Sequence, residues 1–136
     1  MRHVEVLADV PDEVCRLLRI DTTSRVVMIH RETVSHIFER RSFLDAALIV
    51  GALARQEFSP MYCGRDLLDP RTFFIMELPF TGARNWVAII LKYVSVATSA
   101  SGHDEIWVVT GRLVGISTLN EMLEGGRFVL HRMSDR

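Results

Sequence analysis

Apolar and polar residues near the start of the chain follow the periods of both strands and helices. Residues 3–7 alternate between the two types and predict a short edge strand. Pro11 is followed by two acidic residues, which suits the first turn of a helix that we expect to run to about Arg19. The β-branched run from Val26 to Ile29 then predicts a second strand.

Two consecutive helices are predicted after this strand. Beyond Arg31 the apolar residues recur at spacings of three and four, which is the period of one helix face. The residues on that face are Val34, Ile37 and Phe38, followed by Arg41. The second helix begins at Ser42, a good N-cap residue, and runs to about Gln56. Since it is apolar on nearly every side, we expect it to be a buried central helix.

The rest of the chain is predicted to consist mainly of strands. Residues 62–66 lie between Pro60 and Pro70 and include a glycine, so we interpret them as a loop or an irregular hairpin. Strand-like runs follow at residues 72–78, 86–96 and 106–117, then one helical turn at 119–123 and a final strand at 128–133. Turn-forming residues separate the three long strands, which favours an antiparallel meander.

These elements predict a single α+β domain over residues 1–136, with N-terminal helices packed on a twisted antiparallel sheet. The length of 136 residues is ordinary for one domain, and 49% hydrophobic with 24% charged residues is typical of a folded protein. A chain of this size buries roughly two-thirds of its surface on folding, so its core requires neither disulfides nor a metal.

The charge balance restricts any nucleic-acid site to a local surface. The chain has 16 basic and 17 acidic residues, so it lacks the overall basicity common among nucleic-acid-binding proteins. Lys92 is the one lysine, and the other 15 of the 16 basic residues are arginines. Arginine suits bidentate phosphate contacts, although genomic base composition also explains such a count.

Cys15 and Cys63 lie far apart, outside any CxxC or Cys/His cluster, so a zinc site is not expected. We expect two reduced core thiols in the cytoplasm, with a disulfide in an oxidising compartment as the alternative. Residues 1–5 lack the pattern of a secretory signal. The longest apolar run, residues 86–91, is too short to span a bilayer, and no membrane association is predicted.

Motifs that identify large enzyme classes are missing. The sequence has no GxxxxGK[ST], GxGxxG, HExxH or GxSxG pattern, so no cofactor is predicted. Glu32 and His36 are four residues apart on a predicted helix, a spacing that a divalent metal can use. Without a second such pair, we interpret them as a solvated i,i+4 pair and predict no metal site.

Two predicted strands carry polar residues among apolar ones. On the first strand Lys92 shares a face with Ala88, Ile90 and Val94. On the second strand, alternation places Thr110 and Arg112 on one face, together with Ile106, Val108 and Val114. If a hairpin pairs the two strands, Lys92 comes within reach of Thr110 or Arg112. Alternatively, Lys92 lies at a sheet rim and Arg112 pairs with an acidic residue.

A family resemblance rests on the segment VVMIHRETVSHIFERR, residues 26–41, and on the later WVVT, residues 107–110. Over roughly residues 26–118 the order of elements resembles the phage-associated members of the barnase, EndoU, colicin and RelE-like nuclease superfamily. Two positions depart from the family pattern. His30 stands where a capping serine is common, and Arg40-Arg41-Ser42 replaces a histidine after the helix.

The resemblance implies a site on the concave face of the sheet, with His36, Lys92 and Thr110 as catalytic residues. Arg112 and Arg40 would be further phosphate contacts. The implied reaction is metal-independent RNA cleavage, in which the ribose 2′-hydroxyl attacks the adjacent phosphorus. His36 would transfer the proton, and Lys92 with Arg112 would stabilise the phosphoryl charge, while Thr110 would donate a hydrogen bond.

A second hypothesis comes from another class of protein. Near-neutral charge and an apolar-rich sheet also suit a non-catalytic module that binds a protein or a small ligand, including a second copy of itself. An exposed aromatic patch would favour this module. The candidate residues for such a patch are Trp86, Trp107, Phe73 and Phe80. A basic hollow around Lys92 would instead favour the nuclease.

Overall fold

The computed structural model describes residues 3–95, 97, 99 and 101–134 of the chain. Over these residues it contains seven strands and four helices. The strands are β1 (Val4–Asp9), β2 (Val26–His30), β3 (Tyr62–Asp66), β4 (Thr72–Glu77), β5 (Trp86–Val94), β6 (Glu105–Val114) and β7 (Phe128–Arg132). The helices are α1 (Asp12–Leu18), α2 (Arg31–Arg40), α3 (Phe43–Leu53) and α4 (Ile116–Glu124). The predicted α+β class is confirmed, and Val96, predicted at the end of β5, lies outside the described residues.

All seven strands form one sheet in the order β1-β2-β6-β5-β4-β3-β7. The predicted meander is present as β4, β5 and β6, which pair antiparallel in sequence order. The expectation of a wholly antiparallel sheet is wrong, because β2 pairs parallel with β6. The chain leaves β2 through α2 and α3 and reaches β6 only after building β3, β4 and β5, which provides the long crossover that parallel pairing needs.

Helices cover the two faces of the sheet unequally. Helices α1, α2 and α3 pack on one face, which we call the helix face, and enclose the larger hydrophobic core. On the other face α4 packs through Leu119 and Met122 against part of the sheet, in a smaller core with Phe74, Met76 and Ala88. We call this second face the open face, because β1, β2 and the adjoining part of β6 carry no helix there. The three N-terminal helices therefore pack on the sheet as expected, although strands β1 and β2 are interleaved with them.

Residues 62–66 form a strand, β3, between β4 and β7. Of the two predicted alternatives the loop is wrong, and the hairpin is present because β3 pairs antiparallel with β4. Gly64, which in the sequence suggests a turn, instead allows close packing between neighbouring strands. A Cβ atom at Gly64 would lie 2.4 Å from Cζ of Phe74 and 2.5 Å from the carbonyl oxygen of Val129. Glycine within a strand can mark such a close approach as well as a turn.

Helix α3 is not buried on every side, contrary to the prediction for this segment. Ala46, Ile49 and Ala52 face the sheet and are buried. Phe43 and Leu44, in the first turn, are 74% and 75% exposed. The reason is that the helix face has a single helical layer, and the described residues place nothing outside it. Helix α4 is also longer than the single turn expected from the sequence.

Cys15 and Cys63 are free thiols, and both are buried. Burial raises the pKa of Cys15, and it raises the pKa of Cys63 to about 12. These thiols therefore stay protonated near neutral pH. Within the described ranges, none of the helices combines the length and apolar character needed to cross a membrane.

Candidate functional site

A β-bulge in β6 determines which side chains reach the open face. Ile90 of β5 pairs with Thr110, but the next residue, Leu91, pairs with Val108. Val109 is therefore the extra residue of the bulge. One extra residue in a strand reverses the alternation of side chains beyond it.

The bulge separates residues that simple alternation places together. Ile106 and Val108 belong to the core of the helix face. On the far side of the bulge, Thr110 and Arg112 pair with open-face residues of β5, and Val114 belongs to the open-face core. The expectation that all five share one face is therefore wrong, although Thr110 and Arg112 do lie together as predicted.

Lys92 also lies on the open face. Its neighbours at two-residue spacing, Ala88 and Ile90, contact the core under α4, as the alternation of this strand predicts. Lys92 pairs across the sheet with Trp107 of β6 and is itself exposed. The ammonium group is therefore accessible at the point where the open face is uncovered.

The structure brings together three of the predicted site residues: Lys92, Thr110 and Arg112. Lys92 is two residues along β5 from Ile90, the partner of Thr110, and both residues lie on the open face. Lys92 and Arg112 are exposed, and neither forms an ion pair with any described residue. The Thr110 hydroxyl makes one long contact, 3.5 Å to the carbonyl oxygen of Gly111. All three polar groups are thus available to a ligand.

His36 and Arg40, by contrast, lie on the other side of the sheet. They belong to α2, which packs through buried Ile37 into the core of the helix face. His36 lies on the opposite side of this helix and is exposed. Arg40 is the last residue of the helix and is also exposed. Because the sheet separates the two groups, the structure does not bring His36 or Arg40 to Lys92.

The histidine on the open face is His30, which is not among the predicted site residues. His30 is the last residue of β2, and its ring stacks on the indole of Trp107 with centroids 4.2 Å apart and planes 7° apart. Both side chains are partly buried. Met28 pairs directly with Trp107 and lies on the same face. Two-residue alternation from Met28 is the signal that places His30 there.

Apolar side chains extend this aromatic pair into a larger surface. Val6 of β1 pairs with Met28 and is 68% exposed, and Val109 at the bulge is 48% exposed. We call His30, Trp107, Met28 and Val6 the stacking platform. It occupies the half of the open face that α4 leaves uncovered.

The positive charges of the open face lie beside the stacking platform. Lys92 is directly opposite Trp107, and Arg112 is farther along β6 towards α4. Glu105, the acidic residue of β6, lies at the other end of the strand from Arg112. Glu105 pairs with Val94, two residues from Lys92 along β5, so the open face carries one negative charge close to Lys92 as well as the two positive ones.

Among the described residues, no group of three or more His, Cys, Asp or Glu side chains is arranged to hold a metal ion. No protein-family model, curated protein or solved structure matches the chain. The chemistry of the open face therefore rests on its own residues: an aromatic pair, two cations, a hydroxyl and the carboxylate of Glu105.

Proposed function

We propose that the chain is an RNA-binding domain and that single-stranded RNA lies across the open face of its sheet. One observation carries the proposal: the stacked rings of His30 and Trp107 lie beside Lys92 and Thr110 on an uncovered surface. Nucleic-acid bases stack on aromatic side chains, and each such contact contributes about 1–3 kcal/mol. Cations next to the rings bind the backbone that joins the bases.

Each group on the open face has a role in this proposal. A base stacks on the ring pair, with Met28 and Val6 as apolar flanks. Lys92 and Arg112 contact successive phosphates, and Thr110 donates a hydrogen bond to a phosphate or sugar oxygen. With few cations and a net charge of −1, binding is expected to be modest and sensitive to salt.

The resemblance to the nuclease superfamily adds a possible reaction to this proposal. Attack by a ribose 2′-hydroxyl on phosphorus forms a 2′,3′-cyclic phosphate and breaks the bond to the 5′-oxygen of the next nucleotide. The 2′-hydroxyl loses a proton and the leaving 5′-oxygen gains one, so the reaction needs a proton-transfer group next to the phosphate. His36 is on the wrong side of the sheet for RNA bound at Lys92. His30 has the required kind of group on the correct face, because its imidazole ring can accept or donate a proton. If the domain cleaves RNA, His30 is therefore the group that we assign to proton transfer.

A binding and cleavage assay in EDTA tests the proposal. A fluorescent oligouridine is titrated with protein and followed by anisotropy, and the products are separated on a gel. We expect Trp107→Ala to lose binding and His36→Ala to retain it. Equal binding by the native protein and Trp107→Ala would contradict the proposal. Fragments ending in 2′,3′-cyclic phosphate that vanish in His30→Ala would establish catalysis, and bound but intact RNA would establish a binding module.

A second candidate function, self-association, is favoured by a different surface. Phe38 and Phe43 are adjacent at the junction of α2 and α3, with ring centroids 5.9 Å apart, and Leu44 follows them. All three are exposed on the helix side of the molecule, away from the stacking platform. An apolar cluster of this kind suits contact with another apolar surface, and a second copy of the chain provides an identical one.

A further inference from the structure

Three arginines line one small cavity at the end of strands β3, β4 and β5. The cavity has a volume of about 200 Å³, and Arg19, Arg65, Arg71 and Tyr93 contribute to its wall. Asp21 is the acidic residue of the lining, and Asp104 lies close enough to raise the pKa of Tyr93, so three positive charges stand against two negative ones around the cavity. A hollow with this balance attracts an anion.

Arg65 contributes an unsatisfied donor to this wall. Its side chain lies on the helix face. There Nη2 donates a hydrogen bond of 2.6 Å to the carbonyl oxygen of Leu18, which is the last residue of α1. Its Nε atom is buried and has no hydrogen-bond partner among the described residues. A buried N–H group of a cation without an acceptor is unfavourable, and native proteins seldom retain one. The guanidinium of Arg65 therefore keeps one N–H group whose hydrogen bond no described residue satisfies.

Arg19 occupies a backbone conformation that favours glycine. It follows α1 with φ of 55° and ψ of 45°, in the left-handed region. A side chain at this position is strained, and glycine or asparagine is the usual residue at a helix end of this type. In this chain the strained position belongs to a residue of the cavity wall.

Tyr93 joins the cavity wall to the backbone at Asp21 through its hydroxyl group. Its hydroxyl lies 3.3 Å from the backbone oxygen of Asp21 and donates to it. Burial, followed by the charge of Asp104, raises the pKa of Tyr93, so this hydroxyl keeps its proton near neutral pH. A second cavity of about 350 Å³ adjoins the first, shares Arg71 and Tyr93 with it, and extends to Lys92.

The volumes indicate the size of the anion. Sites for drug-sized ligands usually occupy about 300–1,000 Å³, so the first cavity fits a small group such as a phosphate. Planar guanidinium groups match the oxygen atoms of a phosphate in pairs. The adjoining cavity leaves room for the organic part of a phosphate ester.

We propose that the cavity lined by Arg19, Arg65 and Arg71 binds the terminal phosphate of a phosphomonoester. The site goes beyond the proposed RNA contact, because Arg65 and Tyr93 face the helix side of the sheet and the stacking platform faces the other side. Two sources share this chemistry: a small phosphorylated metabolite and the phosphorylated end of a nucleic acid.

Calorimetric titration of the full chain with inorganic phosphate tests the site. The informative variant is Arg19→Gly, because glycine relieves the left-handed backbone while it removes one cation. We expect Arg19→Gly to weaken phosphate binding about tenfold or more, as expected for a charge-assisted contact, with a melting temperature equal to or above that of the native protein. Arg71→Ala should weaken binding similarly, and Arg40→Ala, an exposed arginine on α2, is the matched control.

The source of the phosphate and the independence of the site are tested together. Uridine monophosphate is compared with oligouridines that end in a 5′-phosphate or a 5′-hydroxyl. A gain in affinity from the 5′-phosphate that Arg19→Gly removes indicates a nucleic-acid end, and tight monophosphate binding without that gain indicates a metabolite. Trp107→Ala should leave phosphate binding unchanged. Failure of phosphate to bind, or equal binding by Arg19→Gly, would overturn the inference without affecting the stacking platform.

Discussion

The imidazole of His30 and the indole of Trp107 stack across two parallel strands, with ring centroids 4.2 Å apart. This contact depends on the register that places Met28 opposite Trp107, because the register brings the end of β2 beside the middle of β6. Both rings are partly buried, and Lys92 pairs with Trp107 across the sheet. The stacked pair is the feature of the open face most suited to a planar ligand.

Loss of the indole should weaken RNA binding. Trp107→Ala removes the larger ring of the pair, and we expect oligouridine affinity to fall about 5- to 150-fold, the range for one stacked base. Fluorescence anisotropy at constant salt measures the change. Phe80→Ala is the matched control, since Phe80 is an exposed aromatic residue in the turn after β4. An equal loss in Phe80→Ala would show that the effect is not specific to the platform.

The two cations of the open face should determine the salt dependence of binding. If Lys92 and Arg112 each contact a phosphate, each alanine substitution should reduce the slope of log affinity against log salt by about 0.7. Titrations at several salt concentrations measure this slope. Arg40→Ala, on the other side of the sheet, should leave it unchanged. A slope that depends on Arg40 and not on Lys92 would place the RNA on the helix face instead.

Replacement by alanine should change the free energy of unfolding in opposite directions at two glycines, Gly64 and Gly51. At Gly64 a Cβ would lie 2.4 Å from the Phe74 ring, so we expect Gly64→Ala to lower the free energy of unfolding by about 1–3 kcal/mol or more. At Gly51, inside α3, nothing lies within 4 Å, and Gly51→Ala should raise it by about 0.5–1 kcal/mol. Urea denaturation measures both. Equal effects would contradict the packing described for β3.

Glu77 should give the stability a defined pH dependence. The side chain is fully buried at the end of β4, where Oε1 lies 3.2 Å from Nη1 of Arg55 and Oε2 accepts from the backbone N–H of Ser59. Burial raises the pKa of Glu77 above its ordinary value of 4.5, against the smaller opposing effects of Ser59 and Arg55. The folded protein therefore holds this proton more tightly than the unfolded chain does.

The contribution of Glu77 to the free energy of unfolding is consequently at its full value below pH 4.5. It is lost as the pH rises through the pKa of Glu77 in the folded protein. We expect the free energy of unfolding of the native protein, relative to Glu77→Gln, to decrease from acidic to neutral pH. Urea denaturation of both proteins across that range measures the difference. A difference that is constant, or that increases with pH, would contradict the raised pKa.

The exposed cluster on α2 and α3 should control self-association. Phe43→Ser removes the ring that contacts Phe38, and we expect it to shift a concentration-dependent dimer to monomer in sedimentation velocity. Phe80→Ser removes an exposed ring elsewhere and should leave the association unchanged. A native protein that remains monomeric at every accessible concentration would exclude this function and leave the RNA proposal intact.

The local pattern of apolar and polar residues was sufficient to predict most of the helices and strands. The spacing of Val34 and Ile37 predicted α2, and the strand-like runs predicted β4, β5 and β6. The alternation of β5 correctly placed Lys92 with Ala88 and Ile90 on one face. These features depend on neighbours within a few residues, so the sequence contains the information directly.

The composition of the open face could not be predicted in the same way. Val108 and Val109 are adjacent and chemically identical, so nothing in the sequence marks which of them is the extra residue of the bulge. That one residue decides that Thr110 faces Lys92 while Ile106 faces the core. A bulge is determined by pairing with another strand, which involves residues far apart in the chain.

The sequence by itself determined that this chain forms one α+β fold, with a helix that begins at Arg31 and a strand that begins at Trp86 and carries Lys92. Only the tertiary structure decided that α2 carries His36 to one side of the sheet while Lys92 faces the other, and that His30 meets Trp107. The physical reason is that the first kind of feature depends on residues close together in the chain, whereas the second depends on residues far apart in it. Periodicity sets which side of an element is apolar, but the face of the sheet that each element covers depends on the path of the chain and on strand register.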